Sequence, residues 1–311
     1  MLTFFHAVES VTVILLLIAV GFVFARAGWI GDGEKRFISR YLMNLAIPCT
    51  CISGMQTYLT QEMLRSAGVL VLIPFLVCSS CVILSFLTAK LMKLPRKTFG
   101  VVVTLCAISN TFFIGYPLCI ELFGQEATPY IMFYYVVSSL FTQLVGMSLI
   151  RWSGEAGVSP RKMVKKIVTM PSVLGAIAAV LLVYFNVKLP GVLASFVKYT
   201  GQSVTPLALL LSGQIIAGVG LKKLRPDRNM LVMLLFRFLI APLICLGLCR
   251  FFGLESFPRS IYTIMAGLPV LTSTVVAATE YGADEACAAR GIAVSTIAAF
   301  ITIPIWMVLL T

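Results

Sequence analysis

The chain has 311 residues, of which 59% are hydrophobic and 12% are charged, and its mean hydropathy is +1.01. A soluble domain carries roughly 25% charged residues, so this composition excludes an ordinary soluble protein. The formal net charge of +12 comes largely from basic residues in short loops between apolar segments, a pattern typical of membrane topology. We therefore expect an all-α integral membrane protein whose surroundings are the lipid bilayer, with no nucleic-acid partner.

Apolar runs of about 20 residues, the length at which an α-helix crosses a bilayer, recur along the whole chain. A transmembrane β-barrel would instead show segments of about ten residues with alternating polarity. The pattern predicts ten transmembrane helices, at about 5–26, 37–56, 64–91, 98–122, 128–151, 167–187, 192–220, 229–251, 258–281 and 286–310.

Most lysines and arginines fall in four loops, which share one side of the membrane if there are ten spans. These loops lie at about 26–40, 90–97, 151–166 and 222–228. Cytoplasmic loops carry the excess of basic residues in membrane proteins. We therefore expect a multi-pass protein of the cell (inner, cytoplasmic) membrane with both termini on the non-cytoplasmic side. The last connection, with Glu280, Asp284 and Glu285, is acidic and fits this pattern less well.

The polar stretch 152–166 divides the predicted spans into two sets of five. An odd number of spans per half inverts the second half relative to the first. Sequence echoes support such a repeat, since Pro48 and Gly54 are answered in the same order by Pro206 and Gly213. We expect a 5+5 inverted repeat. The alternative is that proline and glycine are simply frequent in membrane helices.

Two of the predicted helices are interrupted near their centres. The first break contains Asn110, Thr111, Gly115 and Pro117, and the second contains Leu268, Pro269, Thr272, Ser273 and Thr274. Proline lacks an N–H group and its ring clashes with the carbonyl four residues earlier, so the preceding turn opens. Opened backbone inside a membrane is tolerated only where it is buried in protein or lines a watery cavity. Two such breaks at corresponding places in two halves predict a transporter binding site.

Each break also frees the N–H groups of the half-helix that follows it, where the helix dipole is positive. Two such ends, crossing each other, would attract an anion without any charged side chain. We therefore predict a substrate-binding role for the residues of both breaks, with Ser53 and Gln214 completing the site. Small polar residues in membrane helices also serve helix packing and bonding to their own carbonyls, which is the alternative explanation.

Arg237 is the one charge clearly inside a predicted span. An intramembrane charge costs about 2.5–3.5 kcal/mol on insertion scales and usually marks a functional interior. A side chain that extends to the cytoplasmic interface is the alternative. If buried, Arg237 would bind an anionic substrate or the ends of the broken helices. No aspartate or glutamate lies deep in any span, since Glu121 and Glu280 are near span ends, and this favours an organic anion over cation exchange.

The chain offers no catalytic constellation. His6 is the only histidine, which excludes a histidine-based triad and a metal site built from several histidines. The cysteines are scattered through apolar segments, where cysteine behaves as a small hydrophobic residue. We expect no catalytic residue, no metal and no cofactor, and therefore no enzymatic activity.

The block Asn110-Thr111 followed by Gly115, Pro117 and Leu118 resembles the first crossover motif of the auxin efflux carrier family. That family includes plant carriers and bacterial malate and malonate permeases, and Pro269 matches its second crossover proline. The resemblance covers the whole chain and implies a fold similar to sodium/bile-acid symporters and sodium/proton antiporters. It also implies a homodimer, and contact between Asn110 and a substrate carboxylate.

By the same resemblance, residues 1–60 and 167–220 would form a scaffold, and residues 61–151 and 221–311 a transport unit that slides as an elevator. The stretch 152–166 would link the two halves. The predicted function is a secondary transporter or uniporter for a small organic anion, with a carboxylate as the group recognised. The alternatives are a sodium-coupled organic-anion symporter of bile-acid type and a channel or sensor that does not transport.

Overall fold

The computed structural model describes residues 2–154, 169–219 and 227–310. In these ranges the chain is almost entirely helical, and its only β-type pairing is one isolated bridge. Most of the predicted linker 152–166 and most of the basic loop 222–228 lie outside the described residues.

The helices of the first half are α1 (Leu2–Arg26), α2 (Asp32–Tyr41), α3 (Ile47–Tyr58), α4 (Gln61–Arg65), α5 (Ala67–Leu91), α6 (Arg96–Ala107), α7 (Gly115–Phe123), α8 (Thr128–Phe141) and α9 (Met147–Ser153). Those of the second half are α10 (Pro171–Tyr184), α11 (Gly191–Gln202), α12 (Val204–Val219), α13 (Arg228–Leu235), α14 (Ala241–Phe251), α15 (Ser256–Ala266), α16 (Ser273–Tyr281) and α17 (Glu285–Leu310). Single π-helical turns join α2 to α3, α8 to α9 and α13 to α14, at Leu42–Ala46, Thr142–Gly146 and Phe236–Ile240.

Several of these helices are built to lie in lipid. Within the described ranges, five segments are long and apolar enough to cross a membrane: Val8–Arg26, Ala67–Leu91, Gln125–Ser153, Arg228–Phe251 and Glu285–Leu310. Large apolar side chains such as Phe75, Ile83 and Leu87 are exposed on α5, and a soluble protein rarely exposes so continuous an apolar surface. The chain is therefore a helical, multi-pass membrane protein. The ten-span count and the 5+5 inverted repeat stay predictions.

Close contacts join the first half of the chain to the second. Helix α1 packs most extensively on α12, and α3 packs on both α10 and α11. Glycine makes the first of these contacts possible, because a Cβ atom on Gly21 would lie 2.2 Å from the Leu210 carbonyl oxygen. A Cβ atom on Gly213 would lie 2.0 Å from the Ile18 carbonyl oxygen. Small residues at such interfaces let membrane helices approach backbone to backbone.

The two breaks lie where the sequence predicts them, and they cross. Helix α6 ends at Ala107 and α7 begins at Gly115, whereas α15 ends at Ala266 and α16 begins at Ser273. The extended residues between the half-helices meet as an antiparallel bridge between Ser109 and Val270. Pro117 lies in the first turn of α7, where its missing N–H removes no helical hydrogen bond. The opened turn therefore precedes Pro117 rather than containing it.

We predict that Gly213→Ala destabilises the protein, because the added methyl group would force α12 away from the α1 backbone. Overpacking of this kind typically costs about 1–3 kcal/mol. The matched control is Gly247→Ala in α14, where a Cβ atom would meet nothing within 4 Å. An alanine there should stabilise the helix slightly, by up to about 1 kcal/mol. Thermal unfolding in detergent should therefore shift in opposite directions for the two variants, and equal shifts would contradict the proposed packing.

Candidate functional site at the crossing of the broken helices

Asn110 holds the crossing together with its backbone and its side chain. Its N–H donates to the Pro269 carbonyl at 2.8 Å, and its own carbonyl accepts the Gly115 N–H at 3.0 Å. The side-chain Oδ1 accepts the Phe113 N–H at 3.3 Å, and Nδ2 donates to the Thr272 hydroxyl at 3.5 Å. An asparagine amide carries two N–H donors, so this long bond leaves donor capacity for a ligand.

Unpaired backbone donors lie in the turn that leads into α7 and at the first residue of α16. The N–H groups of Thr111, Phe112 and Ser273 have no hydrogen-bond acceptor among the described residues. All three residues line one cavity, together with Asn110. Unpaired N–H groups at a helix N-terminus, where the dipole is positive, form a natural anion site.

Arg237 occupies the opposite, carbonyl ends of the broken segments. Its Nε donates to the Leu268 carbonyl at 3.1 Å, Nη1 donates to the Cys106 carbonyl at 3.3 Å, and Nη2 donates to the Ala266 carbonyl. Cys106 lies in the last turn of α6 and Ala266 ends α15. One guanidinium therefore caps the C-terminal ends of both half-helices, where unsatisfied carbonyls and a negative dipole end would otherwise remain.

This position decides between the alternatives for Arg237. The side chain is 1% exposed, so the interpretation in which it extends to the cytoplasmic interface is wrong. Its guanidinium contacts the ends of the broken helices, and Arg237 does not line the cavity that contains Asn110.

The cavity that contains Asn110, here called the Asn110 cavity, has a volume of about 340 Å³. Besides the crossing it is lined by Ser39, Met43 and Met170. Glu280 also lines it and was not among the residues predicted for the site. Glu280 is the seventh residue after Ser273 in α16, which places this carboxylate roughly 10 Å along the helix from the crossing. Its position seven residues after the break in one helix was the available sequence signal.

Helix α2, the π-helical turn Leu42–Ala46 and α3 follow one another without a break and are here called the α2–α3 rod. A second cavity lies at the other end of this rod. This Lys198 cavity has a volume of about 430 Å³, and its lining includes Ser53, Thr57, Tyr116 and Lys198. Ser39 in the first cavity and Thr57 in the second are roughly 27 Å apart along the rod, at 1.5 Å per residue. The two cavities therefore lie toward opposite ends of the rod. Ser53, predicted to line the same site as Asn110, lies in the Lys198 cavity instead.

Stacked aromatic rings lie between the two cavities. Phe112 and Tyr135 line the Asn110 cavity, whereas Tyr116 lines the Lys198 cavity. The rings of Phe112 and Tyr116 are nearly parallel, with centroids 5.4 Å apart, and Phe112 also contacts Tyr135 at 4.8 Å. All three side chains are buried, so this aromatic cluster closes the direct path between the cavities.

The remaining predicted residues take different places around the crossing. Leu268 is fully buried and gives its carbonyl to Arg237, and the Pro269 carbonyl accepts from Asn110. Thr274 is buried, and its hydroxyl has no partner among the described residues. Thr272 bonds Asn110 but lines a separate, larger cavity of about 1010 Å³. Gln214 lines none of these three cavities, although its buried Oε1 lacks a partner within the described part of the chain.

Gly115 permits the close approach of the two breaks. A Cβ atom at this position would lie 2.4 Å from Leu268 Cδ1 and 3.2 Å from the Asn110 carbonyl oxygen. The first residue of α7 therefore lies directly against the second broken segment. In the described ranges, no group of three or more histidine, cysteine, aspartate or glutamate side chains is placed to hold a metal ion.

Comparison with known proteins identifies the family. Residues 6–307 match the family model described as membrane transport protein, which is the auxin efflux carrier-like family. The chain belongs to this family. An uncharacterized transporter of Methanothermobacter thermautotrophicus is 28% identical to this auxin efflux carrier-like protein over 314 residues, covering 99% of each chain. An uncharacterized transporter of Methanocaldococcus jannaschii is 22% identical over 302 residues, covering 96% of this chain and 97% of its own. The resemblance drawn from the crossover motif is thus confirmed.

We predict that Arg237→Met destabilises this auxin efflux carrier-like protein by at least about 3 kcal/mol, because three buried carbonyls lose their donor at about 1–3 kcal/mol each. Arg237→Lys keeps the charge but not the forked geometry and should fall between this variant and the wild type. The control is Arg250→Met, at an exposed position in the last turn of α14, which should change stability by less than about 0.5 kcal/mol. Thermal melting in detergent measures all three, and a melting temperature for Arg237→Met equal to that of the control would contradict the capping role.

Proposed function

We propose that this auxin efflux carrier-like protein is a secondary transporter or uniporter that moves a small organic anion across the cell membrane, recognising its carboxylate. The observation that carries the proposal is the convergence on one cavity, beside the Asn110 amide, of free N–H groups from the turn before α7 and from the start of α16. Substrate binding at this crossing involves the residues of both breaks, with the carboxylate facing Asn110.

Electrostatics favour an anion over a cation. The positive dipole ends of α7 and α16 face the crossing, and the negative ends of α6 and α15 are neutralised by Arg237. These helix ends give the crossing a positive field, which favours an anion beside Asn110, whereas Glu280, the one charged side chain in the lining of the Asn110 cavity, lies roughly 10 Å away along α16. A volume of about 340 Å³ lies at the lower end of the range of small-molecule sites, which supports a small substrate.

Two cavities toward opposite ends of the α2–α3 rod, with buried, stacked aromatic rings between them, support alternating access. The Asn110 cavity lies between α2 and Met170, the residue before α10, on one side and the broken segments with α8 and α9 on the other. The Lys198 cavity likewise lies between α3 and α11 on one side and α7 on the other. We propose that the transport unit (residues 61–151 and 221–311) slides as an elevator along the scaffold (residues 1–60 and 167–220). The ten spans form a 5+5 inverted repeat, and the protein works as a homodimer with both termini on the non-cytoplasmic side.

The second candidate is a sodium-coupled organic-anion symporter of bile-acid type. Glu280 is the observation that favours it, because it is a carboxylate in the lining of the Asn110 cavity. A uniporter would take up substrate at the same rate with and without a sodium gradient. A symporter would lose concentrative uptake when the sodium gradient is removed. A channel or sensor is less consistent with the closed aromatic cluster, and counterflow of labelled substrate separates a carrier from both.

We predict that Asn110→Ala lowers saturable carboxylate uptake into proteoliposomes at least tenfold, because the site loses the side-chain amide that lies at the crossing of the two breaks. Asn110→Asp should abolish uptake, since it adds a negative charge in a buried position. Labelled lactate and malate serve as probes of one and two carboxylates. The control is Ser109→Ala, which removes the adjacent hydroxyl that donates to the Met265 carbonyl and does not line the cavity.

The melting temperatures of the Asn110 variants separate a binding effect from misfolding. A stable Asn110→Ala protein with unchanged saturable uptake would remove Asn110 from the site. A wild-type protein that transports neither these probes nor other small carboxylates would overturn the proposed substrate class.

We predict that Glu280→Gln lowers the half-saturating concentration of malate about twofold when the Asn110 cavity faces the substrate solution. The reason is that removal of a like charge at the cavity mouth reduces repulsion of the dianion. The effect should shrink at high ionic strength because ions screen exposed charges, and it should be larger for malate than for lactate. Equal changes for both probes, or no dependence on ionic strength, would contradict this electrostatic role. Loss of sodium-dependent uptake in this variant would instead support the symporter.

A further inference from the structure

The Lys198 cavity has the composition of a binding site in its own right. Its volume of about 430 Å³ exceeds that of the Asn110 cavity, and most of its lining residues are polar. Lys198 is the only charged residue in that lining, which contains no carboxylate. The cavity therefore combines an uncompensated positive charge with neutral hydrogen-bonding groups.

The donors in this cavity are suitably placed to bind a ligand. Lys198 is exposed, and within the described residues it forms no ion pair. Ser53 and Gln202 add a hydroxyl and an amide to the lining. Gln56 is held by the bond from its amide nitrogen to the Val187 carbonyl at 2.9 Å, so one wall of the cavity is fixed. An ammonium group beside neutral donors is suited to a carboxylate.

The other polar cavities lack this charge pattern. The cavity that contains Thr272 is lined by three carboxylates and two cations, among them Glu285 and Arg290, and has no net positive charge. A further cavity of about 480 Å³ is lined by Glu62 and Glu255 and by no cation. Among these cavities, only the Lys198 cavity has a net positive lining, which points to an anion as its ligand.

We propose that the Lys198 cavity is a second binding site for a small carboxylate, located across the Phe112–Tyr116 ring pair from Asn110, with Lys198 as its cation. The site rests on the proposed function, because it takes the same class of ligand. It binds the anion on the side of the membrane opposite the opening of the Asn110 cavity. Lys198 thereby sets the apparent affinity for transport from one side only.

The test uses Lys198→Cys and, as matched control, Lys188→Cys, which changes an exposed lysine outside the cavity. All nine native cysteines are buried, so an introduced thiol can be labelled selectively with membrane-impermeant methanethiosulfonates. One reagent carries a trimethylammonium group and the other a sulfonate. The half-saturating concentrations of malate and lactate are measured in right-side-out and in inside-out vesicles.

We expect Lys198→Cys to raise the half-saturating concentration roughly tenfold from one side of the membrane, the equivalent of one charge-assisted hydrogen bond. The trimethylammonium reagent should restore most of the loss, and the sulfonate reagent should increase it. From the other side, and in Lys188→Cys, the values should stay at the wild-type level.

Two results would overturn the second site. One is a Lys198→Cys protein whose half-saturating concentrations equal those of the wild type from both sides, before and after either reagent. The other is an equal effect of the two reagents, which would indicate a steric role. If Asn110→Ala still lowers uptake at least tenfold in that case, the proposed function stands without the second site. If wild-type vesicles take up no carboxylate, the proposed function fails first.

Discussion

Arg237 donates hydrogen bonds to carbonyls of both broken segments, and the crossing depends on this shared contact. A helix that ends inside a membrane leaves carbonyl groups without water to bond, and each costs several kcal/mol if it stays unsatisfied. Placing one arginine inside the bilayer costs about 2.5–3.5 kcal/mol on insertion scales. Because its fork reaches Cys106, Ala266 and Leu268, that single cost is offset by three satisfied acceptors from two segments. The fork geometry explains why arginine, rather than lysine, suits this position.

The same contact gives the crossing its polarity. A broken membrane helix presents a negative end and a positive end to its surroundings. Here the negative ends of α6 and α15 are covered by a cation, whereas the N–H groups of Thr111, in the turn before α7, and of Ser273, at the start of α16, stay unpaired at a cavity. The buried cation thus covers the negative helix ends, and the unpaired donors are left at the cavity. The charge of Arg237 and the lining of the Asn110 cavity are therefore two separate parts of the same crossing.

The features of the fold and of the candidate site that can be predicted from the sequence are those that depend on neighbouring residues in the chain. The breaks were predictable, because proline, glycine and asparagine act on their own turns; the positions found for α7 and α16 agree with that expectation. Arg237 is recognisable in the sequence as an intramembrane charge. Its partners, the carbonyls of Cys106 and Ala266, lie 131 and 29 residues away. The sequence therefore leaves three alternatives for this side chain: the broken helix ends, an anionic substrate and the cytoplasmic interface. Ser53 lies in the Lys198 cavity rather than beside Asn110, and this placement follows from the packing of α3 against α11, which the sequence alone does not give. Glu280 was discounted as a residue near a span end, although the break shortens its helix and brings that end to the cavity mouth.

The contacts at the crossing also determine which parts of the molecule can move. Gly115 lies against Leu268, and the carbonyl of Leu268 is bonded to Arg237, which in turn bonds the end of α6. A shift of one broken segment relative to the other would therefore break the Arg237 hydrogen bonds and the Ser109–Val270 bridge at once. Such a rearrangement leaves buried polar groups unpaired and is unfavourable, so the two breaks are held as one unit. The proposed change of access would then take place where that unit meets α2, α3 and α11, because residues of these helices line the two cavities.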